Sequence, residues 1–172
     1  MATVKDVIIP QKLIELNKVE GVYLAGGSLT RLVLKSDFNP TQHDLNFFVV
    51  GPTQEIREQR IREFIDLVDE KAVRTNMHMV DIVQNDGTKI QTIMTCYDGI
   101  EKVVSLFDFS LSQLWLTKQN QVQGTDSAAH SIESKINHVT TKHQWVSAHR
   151  IQKYNDIFQL KDTIIHYDNN GL

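Results

Sequence analysis

Gly21-Val22-Tyr23-Leu24-Ala25-Gly26-Gly27-Ser28 is an apolar run that stops on paired glycines and a serine. Its reading decides the fold. Gly21 to Ala25 reads as a buried strand, and Ser28 as the N-cap of a helix over Leu29 to Leu34, with Leu29, Leu32 and Val33 on one side. Paired glycines let a backbone approach a ligand closely, and a helix start offers free N–H groups and the positive end of a dipole. A strand-to-helix turn also needs glycine for its own geometry. The junction has neither the Lys and spacing of a P-loop nor the full glycine pattern of a dinucleotide fingerprint.

The flanking sequence supplies the layers around this unit. Pro10 opens a short amphipathic helix, and Asp37 to Gln42 is a loop. Asp44-Leu-Asn-Phe-Phe-Val-Val predicts a strand, and Thr53 to Ala72 a long helix capped by Thr53. Met77 to Val83 and Ile90 to Thr95 predict two strands joined by Asn85-Asp-Gly, a hairpin turn. Ile100 to Leu106 then reads as a helix and Phe107 to Leu116 as a strand. The remainder reads as mostly helical, at Ser127 to Ile136 and His149 to Leu160, before a polar tail. A hairpin beside strands separated by helices implies an α/β (α+β) protein, a mixed β-sheet with helices packed on it. We expect one domain over 1–172, with a core at about 21–154 and a helical C-terminal part at 127–165.

Composition narrows the classes of function. With 41% apolar and 23% charged residues over 172 positions, the chain can bury a continuous core. The longest apolar runs, such as Phe47 to Val50, are far too short for a membrane span, and the first ten residues lack a secretory apolar region. A net charge of −3 argues against coating nucleic acid by bulk attraction. The one cysteine, Cys96, rules out an internal disulfide and is expected as a small buried hydrophobe within a strand. A cytoplasmic setting is the expectation. Cations and histidines crowd one late stretch, at His130, Lys135, His138, Lys142, His143, His149, Arg150 and Lys153. That stretch is either a solvated helical face or a surface for phosphate or a partner.

Two strand aspartates need a reason, because aspartate is disfavoured in strands. Asp44 opens one strand, and Asp108 stands between Phe107 and Phe109. The period of two puts Asp44 and Asn46 on one face of the sheet. Oxygen-bearing side chains gathered there suit Mg²⁺. Asp81, in Met-Val-Asp-Ile-Val, is a third candidate for such a site, with a solvent-facing position in an alternating strand the favoured reading.

A strand–Gly-Gly-Ser–helix unit, a strand opening Asp-x-Asn, and a later apolar-Asp-apolar segment together resemble the nucleotidyltransferase (DNA polymerase β-like) superfamily. Ile90-Gln91-Thr-Ile-Met94, Tyr97, the run Val104 to Gln113, Ile132 to Val139, and His149-Arg150-Ile151-Gln-Lys153-Tyr154 are similar to nucleotidyltransferase-like domains of large DNA viruses and phages. The resemblance implies a site in which Gly26, Gly27 and Ser28 hold the triphosphate of an NTP, with Arg31 and Lys153 adding positive charge. It further implies that Asp44 and Asp108, at the first and third carboxylate positions, hold Mg²⁺ or Mn²⁺, with Asn46 at the position of the second carboxylate. The implied reaction is metal-dependent transfer of a nucleoside monophosphate to RNA, a protein side chain or another nucleotide, in a host cytoplasm if the protein is viral. Asparagine coordinates through a neutral oxygen, which weakens a two-metal clamp. The alternative is therefore a catalytically inactive binding or structural module that contacts protein or nucleic acid through the late His/Lys-rich helices and Trp145.

Overall fold

The structure is a computed structural model that describes residues 2–68, 72–74, 78–141 and 148–167. Around the central junction, β2 (Val22–Leu24) leads through Gly26 into α2 (Gly27–Lys35). β1 (Ala2–Thr3) and α1 (Gln11–Leu16) precede it. After it come β3 (Leu45–Val49), α3 (Gln54–Val68), β4 (Ala72–Arg74), β5 (Met79–Val83), β6 (Lys89–Met94) and α4 (Ile100–Ser105). A 3-10 turn at Ser110–Ser112, then β7 (Leu114–Leu116), β8 (Val122–Gly124), α5 (Asp126–Ser134), β9 (Ile136–Thr141), α6 (Ala148–Phe158) and β10 (Asp162–Tyr167) complete the order.

The main sheet has five strands in the order β2-β3-β6-β5-β4. Its β3–β6 pair is parallel, whereas β2–β3, β5–β6 and β4–β5 are antiparallel, so the sheet is mixed as expected. Period-two alternation in β3 buries Leu45, Phe47 and Val49 and turns Asn46 and Phe48 to the opposite face. The buried row packs on α3, where Phe64 meets Phe47 with ring centroids 4.7 Å apart. The other face of β3 is left free to form a site.

The chain departs from expectation in four places. The helix after the paired glycines starts at Gly27, with Gly26 rather than Ser28 at its cap. Gly26 has φ of 98°, a conformation that side chains rarely adopt, so the reversal falls there and Ser28 is carried into the first helical turn. Phe107 to Leu116 is not one strand. The 3-10 turn at Ser110–Ser112 interrupts it: both serines are buried, Ser112 Oγ donating locally to Phe109 O at 3.0 Å and Ser110 Oγ bonding to the distant Ser131 and Asn137. Cys96 is exposed in a bend beyond the end of β6, not buried within a strand. The late stretch also holds β9 and β10, which pair in parallel from Ile136↔Asp162 to Thr141↔Tyr167. Lys142, His143 and Trp145 lie outside the described residues.

Lys118 ties the β7–β8 turn to β2. Its Nζ donates to Val22 O at 2.5 Å and to Asn17 Oδ1 at 3.1 Å, and stands 4.7 Å from the Tyr23 ring centroid. Burial pushes its pKa down from 10.5 to about 8. Between these two values the unfolded chain keeps a proton that the folded chain has released, so this group's contribution to stability rises with pH across that window. The melting-temperature difference between wild type and Lys118→Met is therefore expected to change in wild type's favour from pH 8 to 10.5. A flat difference would show that Lys118 titrates normally.

Candidate nucleotide site

Asp108 occupies the backbone segment between α4 and the 3-10 turn, and that segment is fixed from several sides. Thr140 N donates to Asp108 O at 2.8 Å, and Gln113 Nε2 donates to Phe107 O at 3.0 Å. The turn behind it is anchored on buried polar groups. Ser110 Oγ lies 2.6 Å from Ser131 Oγ and accepts the His138 N–H at 2.8 Å, while Asn137 Oδ1 accepts from Ser110 Oγ and Leu111 N. Thr30 Oγ1 in α2 donates to Leu111 O at 2.6 Å, locking the first helix of the site to this turn. These bonds tie the turn to α2, α5 and β9, although Asn137 Nδ2 is left without a partner among the described residues.

Opposite Asp108 stands α6. Arg150 donates to Asp108 Oδ2 at 2.6 Å, and its guanidinium carbon sits 4.2 Å from the centroid of the Phe109 ring. Tyr154 meets the same ring edge-on at 4.6 Å and 86°, and Phe158 at 5.4 Å and 73°. Burial pushes the Tyr154 phenol above its usual value. The fully buried Phe109 is thus the post on which α6 is mounted. Gly27 permits the approach: a Cβ there would stand 2.7 Å from the Tyr154 hydroxyl oxygen.

Between these walls lies an open hollow of about 470 Å³, lined by Gly26, Gly27, Ser28, Asn46, Asp108, Arg150 and Lys153 among others. Such a volume lies within the range of small-molecule sites, roughly 300–1,000 Å³. The first turn of α2 opens onto it. Ser28 Oγ is buried there and has no hydrogen-bond partner among the described residues. The structure thus brings together most of the residues expected to hold a nucleotide.

It does not bring together all of them. Arg31 pairs with Asp37, Nε to Oδ1 at 3.2 Å, and does not line the hollow. Asp44 is exposed at the head of β3 and lines a second, adjoining hollow of about 320 Å³ with Asp81, Lys89 and Gln91. Asn46 lines both. Asp81, expected to face solvent, is only partly exposed and accepts from Gln91 Nε2 at 3.3 Å. Tyr154, Phe48 and Phe107 do not stand out in the sequence as site residues, and Arg150 stands out only as one of the late cations. A carboxylate among aromatic residues with no local cation was the one sign that a distant partner was needed.

The donor set bears on the implied metal. A two-metal centre needs several oxygens at about 2.1 Å from ions roughly 3.5–4 Å apart. Asp108 spends one oxygen on Arg150, and Asp44 faces the neighbouring hollow. Asn46 is in register with Gln91, and Gln91 with Asp81. Two strand spacings of about 4.8 Å therefore separate Asp81 from Asn46. Among the described residues, no group of three His, Cys, Asp or Glu side chains is placed to hold a metal ion. Asp44 and Asp108 thus line separate hollows that share Asn46.

A family model described as "Gad2: Gabija anti-defense 2 family protein" matches residues 3–142. The chain belongs to this Gad2 family. Among solved structures, the Gad2-family chain is similar to the Thermotoga maritima CCA-adding enzyme complexed with tRNA, with 16% identity and a TM-score of 0.66 over 99% of this chain and 44% of that one. It is also similar to a CCA-adding enzyme in complex with ATP, with 16% identity, a TM-score of 0.67, and coverage of 95% and 43%. A Bacillus stearothermophilus CCA-adding enzyme with CTP matches at 13% identity and a TM-score of 0.56, covering 77% and 34%. The likeness shows the nucleotidyltransferase fold. The chain spans less than half the length of each of these enzymes. A comparison with curated proteins finds no match. Among the described residues, no helix is long and apolar enough to cross a membrane.

Proposed function

We propose that this Gad2-family chain binds a nucleoside triphosphate in the Gly26–Ser28 hollow, and that it counters a host defence system through that nucleotide rather than through two-metal transfer. One observation carries the reading. The first turn of α2, the unpartnered Ser28 hydroxyl, Arg150 and Lys153 converge on one cavity, and an anion gains from every one of them. The structurally similar enzymes were captured with CTP and ATP, which makes these the first ligands to try. Asp108 then serves as the acceptor that orients Arg150, with its second oxygen available to a ribose hydroxyl. A phage protein acting in the host cytoplasm suits the family description.

The test is a thermal-shift titration with ATP and CTP, with EDTA and with Mg²⁺. At ligand a hundredfold above Kd, stabilisation of about 2.7 kcal/mol is expected, or a rise of about 5–11 °C in a chain of this size. Because the positive charge comes from the protein, the shift should persist in EDTA and shrink in Lys153→Ala. No shift with any NTP would overturn the reading.

Metal-dependent transfer of a nucleoside monophosphate is the second reading, favoured by one residue. Asp44 keeps a carboxylate on the face of β3 that Asn46 shares with the nucleotide hollow. Label passing from α-labelled NTP to RNA, protein or nucleotide in Mn²⁺, and lost in both Asp44→Ala and Asp108→Ala, would establish transfer in place of binding alone.

A further inference from the structure

The phosphate-facing wall of the hollow has an aromatic counterpart. Phe48, on the site-facing side of β3, and Phe107, just before Asp108, both line the cavity and are both partly buried. Their ring centroids lie 5.3 Å apart with an interplanar angle of 48°. Behind them they pack on a small apolar cluster that includes Val50, Val104 and Trp115. In front they face the same space as Asp108 and Arg150. Two such rings backed by core and open on the other side form a rigid apolar shelf.

We propose that the Phe48–Phe107 shelf stacks the base of the bound nucleotide, so that the site selects nucleotides over bare polyphosphates and sugar phosphates while discriminating little among bases. This rests on the nucleotide reading above and adds to it the class of ligand. Phosphates suit the first turn of α2 with Ser28 and the cations Arg150 and Lys153; the second oxygen of Asp108 suits a ribose hydroxyl. What remains is the apolar shelf, which suits a flat aromatic group. Stacking is blind to base identity because every base has a π-face. Selectivity among bases by hydrogen bonding requires groups fixed at a base edge. The shelf itself has none, since phenylalanine carries no donor or acceptor.

The experiment compares binding of ATP, GTP, CTP, UTP and inorganic tripolyphosphate to the full chain by calorimetry. The four NTPs are expected to bind within about tenfold of one another and at least about tenfold tighter than tripolyphosphate, the usual effect of stacking one base. Phe48→Leu and Phe107→Leu keep the apolar backing and should each bring the NTP-to-tripolyphosphate ratio towards one. Phe107→Trp should retain NTP binding, and its fluorescence should be quenched by ATP but not by tripolyphosphate. Tripolyphosphate binding as tightly as NTPs, with an unchanged ratio in both leucine variants, would overturn the shelf and leave the phosphate site standing. Failure of all five ligands would overturn the shelf together with the nucleotide reading. Preference for one base by a hundredfold or more would overturn the claim of base tolerance.

Discussion

Phe47→Ala is expected to destabilise the protein by about 3–5 kcal/mol, the usual cost of emptying a buried aromatic site. Phe47 is fully buried at the centre of β3, between register partners Leu24 and Thr92, and its ring lies on Phe64 of α3. Its removal opens a cavity beneath the strand that carries Asn46 and Phe48, and neighbouring strands hold the void open because they are hydrogen-bonded on both sides. For a chain of this length the loss corresponds to a fall in melting temperature of about 6–20 °C. Phe47→Leu keeps most of the volume and should cost less than half as much. Calorimetry of both variants checks this. Equal melting temperatures for wild type and Phe47→Ala would mean that β3 is not packed on α3 as described. The consequence reaches the site, because a β3 that shifts even slightly moves Asn46 and Phe48 with it.

Local chemistry makes the central unit legible in the sequence itself. The Asn85-Asp-Gly turn closes the β5–β6 hairpin with Gln84 N donating to Thr88 O and Gly87 at φ of 92°. Thr53 caps α3 by accepting the Ile56 N–H at 3.2 Å. Both features depend on residues within a few positions of each other, which a sequence displays directly. The β9–β10 pair does not. Its strands are 26 positions apart in register, and α6 lies between them. Nothing in Ile136–Thr141 announces which partner will satisfy its backbone, although Ile136, Val139, Thr140 and Thr141 are β-branched. The site divides in the same way. Gly26, Gly27 and Ser28 are adjacent and were read together, whereas Arg150 reaches Asp108 across 42 positions. The 3-10 turn that re-aims the chain at Asp108 depends on Ser131 and Asn137, which lie far away in sequence.

Arg150 is where that long-range pairing becomes measurable, since its loss should separate stability from binding. Its ion pair with Asp108 is partly exposed, with 43% and 34% of the two side chains accessible. Exposed pairs contribute only about 0.2–1 kcal/mol, so Arg150→Ala should lower the melting temperature by a few degrees at most. Binding is another matter. The guanidinium is held over Phe109 and aimed into the hollow by Asp108, so its order is established before a ligand arrives. Hydrogen bonds from such a charged donor to an anionic ligand are worth about 1.5–3 kcal/mol, which predicts a roughly 10- to 150-fold weaker Kd for ATP in Arg150→Ala. Arg150→Lys should recover little of this, because a lysine offers a point charge in place of a planar group that can lie flat on the ring and reach Asp108 together. Asp108→Asn keeps Arg150 in place with a neutral acceptor and removes a negative charge from the cavity. It should bind tripolyphosphate more tightly than wild type, most clearly at low salt, where partly exposed charges are least screened. Were Asp108 instead a metal ligand, the same substitution would weaken binding of tripolyphosphate in Mg²⁺. The two roles therefore predict opposite signs for a single variant.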